Sequence, residues 1–449
     1  MKTALSVETL HTYTARLTDA NRAFNARYPG ESGVRQPVHT VYGGANLFKA
    51  ETARKLGGIG LKTLEQYAPT AGDFAAALGI SGDAAFAKTV YDRVVEKLKR
   101  EPIEDFRIDF EDGYGNRSDA EEDGHAEAAA VEVAKGMAEG VLPPFIGIRV
   151  KTFSEELKLR AIRTLDIFLS TLAEKSGARL PANFVVTIPK VTIPEQIAVL
   201  VDLFEHFERT LGYKPGSLKL EAMIETTQSI LNALGEATIP HLLNAARGRM
   251  VAAHFGTYDY TASCNVTAAY QSIQHASCDY AKEVMQVTLA GTGVWVSDGA
   301  TTIMPITPHK AKEGAALTAA QVGENKASVY RAWKLHYDNV MYALAGGYYQ
   351  GWDLHPGQLP TRYAAMYTFF LSGRQAASNR LKNFVEKAAQ ATLHGDTFDD
   401  AATGQGLLNF FLRGVNCGAL TEDEALLAGV TVDELRGRSF LKILQNRRK

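Results

Sequence analysis

Apolar and polar positions follow two different rhythms along this chain. Short apolar runs that read as strands are separated by longer stretches whose apolar residues recur at helical spacing. The strand-like runs are VRQPVHTVYGG (34–44), DFRIDFEDG (105–113), FIGIRVK (145–151), FVVTIPKV (184–191), LKLEAMIET (218–226), MVAAHFGTYDY (250–260), GVWVSDGA (293–300) and YYQGWDLHP (348–356). Helical periodicity fills the gaps, as in AFAKTVYDRVVEKLKR (85–100) and IPEQIAVLVDLFEHFERTLG (193–212). Strands that alternate with helices predict βαβ units and a parallel sheet. Eight of them predict an α/β fold, a (β/α)8 TIM barrel, with a doubly wound open sheet as runner-up. Residues 1–33 are expected to form a helical leader, 34–361 the barrel, and 362–449 a C-terminal helical region. In the last of these, LKNFVEKAAQATL and LLNFFLRGV read as amphipathic pieces.

Composition narrows the class. Hydrophobic residues make up 46% and charged residues 22% of 449 residues, which excludes a disordered or fibrous chain. Lysine and arginine total 48 against 50 acids, a net charge of −2, so there is no global basic field for nucleic acid or an anionic membrane. Three cysteines, Cys264, Cys278 and Cys417, none in a C-x-x-C pair, argue against a disulfide framework or a structural zinc site. Cys264 and Cys278, fourteen apart, are expected on one helix as small buried thiols. The first residues, MKTALSVETLHTYTARL, lack the apolar stretch of a signal peptide, and no run approaches the roughly 20 apolar residues of a membrane span. A reducing, cytoplasmic setting is expected.

In a barrel, reacting groups sit at the C-terminal ends of the strands. Those ends carry Asp109, Glu111 and Asp112, then Arg149 and Lys151, Lys190, Glu225, Asp259, Asp298, and finally Asp353 and His355. Acids converging with cations suggest a hard divalent cation and an anionic substrate gripped by Arg149 and Lys190. Glu225 and Asp259 suit Mg²⁺, which takes one or two carboxylates together with water and substrate oxygens. Each serves equally well as a helix-start acid facing the macrodipole. Arg149 can hold a carboxylate in bidentate fashion, or pair with Asp109 or Glu111 on the neighbouring strand. Strand alternation places Asp109 and Glu111 on one face, with Asp112 turned away or beginning the turn DGYGN.

These residues resemble a family. DFEDG, IRV, IPKV, IET, FGTYDYT and LHPGQ occur in that order over about residues 35–360, in a pattern similar to the HpcH/HpaI aldolase and citrate lyase β-subunit superfamily, relatives of malyl-CoA lyases and malate synthases. The resemblance implies a Mg²⁺-dependent barrel, with Mn²⁺ as a substitute, that makes or breaks a carbon–carbon bond through an enolate. By motif, Glu225 and Asp259 are the metal ligands, Arg149 binds the carboxylate of a keto acid, and Asp109 and Glu111 orient it. A CoA thioester is a possible co-substrate, and a homo-oligomer, trimer or hexamer, is implied. The resemblance does not place the group that moves the proton. Asp396, Asp399 and Asp400 are the candidates, against a solvated loop. Lys151 stands where the family has asparagine, YGG (42–44) replaces its V-P-G, and its K-x-x-A-R is missing, with His125 in place of the arginine.

Other features are discounted. His254 and His275 read as structural histidines, and GGIGLK (57–62) follows a helix rather than a strand, unlike a phosphate loop. NRSDAEEDGHAEAAA reads as a solvated helix start. The aromatics of GGYYQGW and RYAAMYTFF fit an interface or the core. The leading expectation is a lyase or aldolase acting on a small keto or hydroxy acid, or on its CoA thioester. The alternatives are a malate synthase-like Claisen condensation or acyl-CoA thioester hydrolysis, and a catalytically silent barrel that binds metal and carboxylate.

Overall fold

Each strand-like run forms a strand in the computed structural model, which describes residues 3–30, 33–311, 316–386, 392–394, 397–399, 401–437 and 443. The strands are β1 (His39–Gly44), β2 (Asp105–Asp109), β3 (Phe145–Arg149), β4 (Phe184–Ile188), β5 (Lys219–Ile224), β6 (Met250–Phe255), β7 (Trp295–Ser297) and β8 (Gly351–Asp353). They pair in parallel in the order β7-β6-β5-β4-β3-β2-β1-β8. The edges then meet. Asp298 N–H donates to Gln350 C=O at 2.9 Å, Trp352 N–H to Gly299 C=O at 3.3 Å, and Ala300 bridges Trp352 in parallel. The sheet is therefore a closed (β/α)8 barrel. Helices such as Ala84–Arg100 and Pro194–Leu211 fall where periodicity predicts them.

Alternation decides what faces inward. On β2, Phe106 and Ile108 join the apolar layer under the helices, while Asp105, Arg107 and Asp109 point along the barrel axis. Arg107 is fully buried there. It donates to Asp105 and Glu221 at 2.5 Å each and to the Thr187 hydroxyl at 2.9 Å. The barrel centre is thus an ion cluster rather than an aliphatic plug.

A second buried cluster ties the C-terminal helices to the barrel. The Asp353 carboxylate accepts from His39 at 2.7 Å, His336 at 2.9 Å and Arg362 at 2.8 Å. Arg362 lies on the helix Leu359–Glu386, which follows β8 almost without a break. GGIGLK falls inside the helix Thr52–Tyr67, where a Cβ on Gly57 would stand 2.2 Å from Pro102 and one on Gly60 2.9 Å from the Pro356 carbonyl. Those glycines serve close packing.

Two expectations need correction. Cys264 caps the helix Thr257–Ser263, whereas Cys278 lies within the helix Ala276–Leu289, so they do not share one helix. The C-terminal region is not helical throughout. β9 (Thr392–His394) pairs antiparallel with β10 (Thr397–Asp399), so the end of LKNFVEKAAQATL and part of HGDTFDDA are strand. Asp396 and Asp400 lie outside the described residues, and only the backbone of Asp399 is described. The aromatics Tyr348, Tyr363, Tyr367 and Phe370 are buried, in favour of the core reading. No helix among the described residues is long and apolar enough to cross a membrane.

Removing Arg107 strands two buried carboxylates. Arg107→Met should lower the stability of the barrel by about 3–5 kcal/mol, read as a fall in the urea midpoint. An unchanged midpoint would show that Asp105 and Glu221 do not need the guanidinium.

Candidate active site

At the C-terminal mouth of the barrel, strand register sets the first contact. Asp109 at the end of β2 lies opposite Arg149 at the end of β3. The guanidinium donates to both Asp109 oxygens, Nε at 2.7 Å and Nη2 at 2.6 Å. Nη1 meets Glu111 at 3.1 Å and the Met223 sulfur at 3.6 Å. Its face lies 4.6 Å from the Tyr42 ring centre and 6.0 Å from that of Trp352. Asp109 is fixed in turn by the backbone N–H groups of Glu111, at 3.0 Å, and Gly113, at 2.7 Å. A Cβ on Gly113 would stand 2.5 Å from that carboxylate, so the glycine of DFEDG lets the loop close over it. Asp109 and Glu111, with the Met223 sulfur, thus hold the arginine, and one N–H of Nη2 is left for another acceptor.

Lys190 ends the fourth run on a turn. Its φ of +50° is left-handed, a conformation that costs a non-glycine residue on the order of 1 kcal/mol or more. The turn aims its backbone N–H at Glu225, which accepts at 2.7 Å. Its ammonium contacts Glu111, Asp112 at 3.0 Å and Asp259 at 3.8 Å. Burial opposes this positive charge, but Glu111, Glu225 and Asp259 outweigh it and hold the ammonium above its ordinary range.

Glu225, just past β5, is 1% exposed. Burial, then the charge on Asp259, pushes its carboxyl up to about 8. Asp259, in the first turn of the helix Thr257–Ser263, is half-exposed, and burial raises it as well. A Cβ on Gly256 would stand 2.2 Å from Glu225 Oε2, so the glycine of GTYDYT makes room for that oxygen. Glu225, Asp259 and Lys190 line a cavity of about 580 Å³ with Thr152, Ser154 and Gln196. Among the described residues no cluster of three or more His, Cys, Asp or Glu side chains is placed to hold a metal. The donors on offer are two neighbouring carboxylates, one of them raised by burial and then by the other's charge. That set fits a hard divalent cation, which completes its shell with water and substrate oxygens.

The structure brings together Asp109, Glu111, Arg149, Lys190, Glu225 and Asp259. It adds Asp112, which turns toward Lys190 rather than away. Other strand-end residues go elsewhere. Lys151 pairs with Glu122 at 2.7 Å, and Asp298 with Lys282 at 3.3 Å. Asp353 belongs to the C-terminal anchor. His355 caps the short turn Pro356–Gln358, accepting from Gly357 N–H at 3.0 Å. His254 lies inside the barrel, 3.4 Å from Glu221, and His275 caps the helix Ala276–Leu289. Tyr42, Met223 and Trp352 join the site without having stood out in the sequence. Their signal is inward alternation on β1, β5 and β8, which in an apolar side chain looks the same as core.

A family model described as a domain of unknown function, DUF6986, matches residues 17–443. A search of curated proteins finds no match. Among solved structures the chain is similar to a citrate lyase from Burkholderia xenovorans LB400, with a TM-score of 0.54 and 18% identity over 78% of this chain and 94% of that one. It is also similar to a magnesium/glyoxylate complex of Haloferax volcanii malate synthase, with a TM-score of 0.44 and 14% identity over 91% and 96%. A third is protein CitE from Mycobacterium tuberculosis with magnesium and acetate, with a TM-score of 0.38 and 12% identity over 74% and 90%. The likeness to the citrate lyase, at 18% identity, is one of fold.

The raised Glu225 carboxyl has a consequence for the metal-free protein. Between its ordinary value of 4.5 and about 8 it stays protonated when folded and ionises when unfolded. Its contribution to stability is full below about 4.5 and is lost as pH rises to about 8. Wild type should therefore lose stability over this window relative to Glu225→Gln, by a few kcal/mol, in thermal melts across pH. Parallel curves would contradict the shift.

By the match over residues 17–443, the chain belongs to the DUF6986 family, and it folds as a (β/α)8 barrel.

Proposed function

We propose that this protein is a Mg²⁺-dependent carbon–carbon lyase or aldolase, acting through an enolate on a small 2-keto or hydroxy carboxylic acid. The observation that carries the reading is the placing of two roles side by side. Glu225 and Asp259 form a carboxylate pair suited to a divalent cation, and Arg149 is locked next to them by Asp109 and Glu111. Bound there, Mg²⁺ or Mn²⁺ supplies Lewis acidity to the oxygen on which enolate charge develops.

The protein's own groups do the positioning. The Nη2 N–H of Arg149 not taken by Asp109 receives the substrate carboxylate, and displacing the weakly accepting Met223 sulfur from Nη1 would give a second donor. Tyr42 and Trp352 limit where the guanidinium can swing. The ammonium of Lys190 lines the cavity with Glu225 and Asp259, and Glu111 links it to Arg149. Cleavage of a carbon–carbon bond leaves its electron pair on the carbon next to the keto group, delocalised onto oxygen, where a cation held by Glu225 and Asp259 would stabilise it, with Arg149 and Lys190 nearby.

A malate synthase-like Claisen condensation or thioester hydrolysis on an acyl-CoA is the second reading, favoured by the helices that follow β8. Against a large anionic co-substrate, the cations around the mouth are engaged by acids, Lys151 by Glu122, Arg160 by Asp123 and Lys190 by Glu111.

Calorimetric titration with Mg²⁺ plus oxaloacetate, pyruvate or glyoxylate tests the proposal. One of these acids should bind only with metal. Glu225→Gln should abolish that binding, and Arg149→Lys should weaken the acid about 10–100-fold while sparing the metal, each with its fold retained. Equal binding in Glu225→Gln would sink the metal assignment. Tight binding with no carbon–carbon turnover would identify a silent barrel.

A further inference from the structure

The helix Val7–Arg27 stands apart from the barrel. Among the described residues it is tied down only at its end, where Arg27 donates to Asn244 at 2.6 Å and Gly30 N–H to Gly291 C=O at 2.8 Å. Every residue from 7 to 26 is exposed, and the helix buries none of its side chains. Its composition cannot account for it. Thr9, Thr12, Thr14, Thr18, Asn21 and Asn25 are poor helix formers. Even alanine-rich helices are marginal in water below roughly 12–15 residues, and most helical stability in proteins comes from packing an apolar face. A threonine- and asparagine-rich helix that packs on nothing lacks what would stabilise it.

The apolar residues show what is missing. Leu10, Tyr13, Leu17, Ala20 and Phe24 are spaced 3, 4, 3 and 4, the a and d positions of a heptad. Leu10, Tyr13, Leu17 and Phe24 are 49%, 59%, 60% and 60% exposed. No charge interrupts the seam between Leu10 and Phe24. Such a seam is self-complementary, because its knobs fit the holes of an identical helix. The remaining surface argues against a lipid bilayer, since Glu8 and Asp19 sit among Arg16 and Arg22 and give no cationic face for anionic headgroups.

We infer that the leader helix is a homotypic docking element, pairing through Leu10, Tyr13, Leu17, Ala20 and Phe24 with the same helix of a second copy of this chain. The seam lies outside the barrel and its mouth, so the pairing stands or falls independently of the proposed chemistry.

Sedimentation equilibrium of the full chain tests it. Wild type should have the mass of two chains, or an even multiple. Leu17→Asp, and more completely Leu10→Asp/Leu17→Asp, should halve that mass, with the melting temperature of the barrel unchanged because these positions touch nothing in it. Ala15→Asp, on the opposite face of the same helix, should leave the mass as it is. A wild-type mass of one chain, or any mass that Leu17→Asp does not halve, would overturn the inference. So would a single-chain protein that co-sediments with phosphatidylserine vesicles, which would make the face a membrane contact.

Discussion

Five carboxylates, from Asp109, Glu111, Asp112, Glu225 and Asp259, converge at the barrel mouth on two cations, Arg149 and Lys190. This imbalance of charge governs the rest of the site. Asp109 is neutralised in full by a bidentate arginine. Glu111 is shared between Arg149 and Lys190. What remains is Glu225, buried and without a cationic side chain of its own, next to a half-exposed Asp259. A buried carboxyl in that position either keeps its proton or waits for a cation. The scaffold maintains this arrangement at a cost, through a left-handed Lys190 and through glycines at 113 and 256 that give way to the two acids.

The barrel can sustain this because its charges are layered. Below the mouth, Arg107 with Asp105 and Glu221 forms a second fully paired set, and outside it Asp353 gathers His39, His336 and Arg362. Within these sets each carboxylate meets a cation or a histidine. The mouth alone breaks the pattern, and a functional site is where such a departure is expected.

Most of the fold is legible in the sequence, because eight short apolar runs that end in charge and alternate with helices suit few architectures besides a barrel. The residues of the site are legible for the same reason. Asp109, Glu111, Arg149, Glu225 and Asp259 each follow an apolar run, where a strand delivers its last inward side chain. Pairing across distance is not legible. Arg107 inside DFRID has the pattern of a surface residue on a half-buried strand, since its partner Glu221 comes 114 residues later. Lys151 and Asp298 carry the same signal as Lys190 and Asp259 but turn to Glu122 and Lys282, a choice set by neighbouring helices. The β9–β10 hairpin hides in a stretch rich in Gly and Asp. Asp112 departs from its expected direction because loop geometry, not alternation, points it at Lys190.

The proposed chemistry rests on Glu225 and Asp259 holding a divalent cation within reach of a carboxylate bound by Arg149. Anomalous diffraction from crystals soaked in Mn²⁺ and oxaloacetate tests this most directly. One strong peak is predicted between the two carboxylates, with the acid bridging from the metal to the guanidinium. A peak at any other cluster, or an acid bound at Arg149 with no metal beside Glu225, would contradict it.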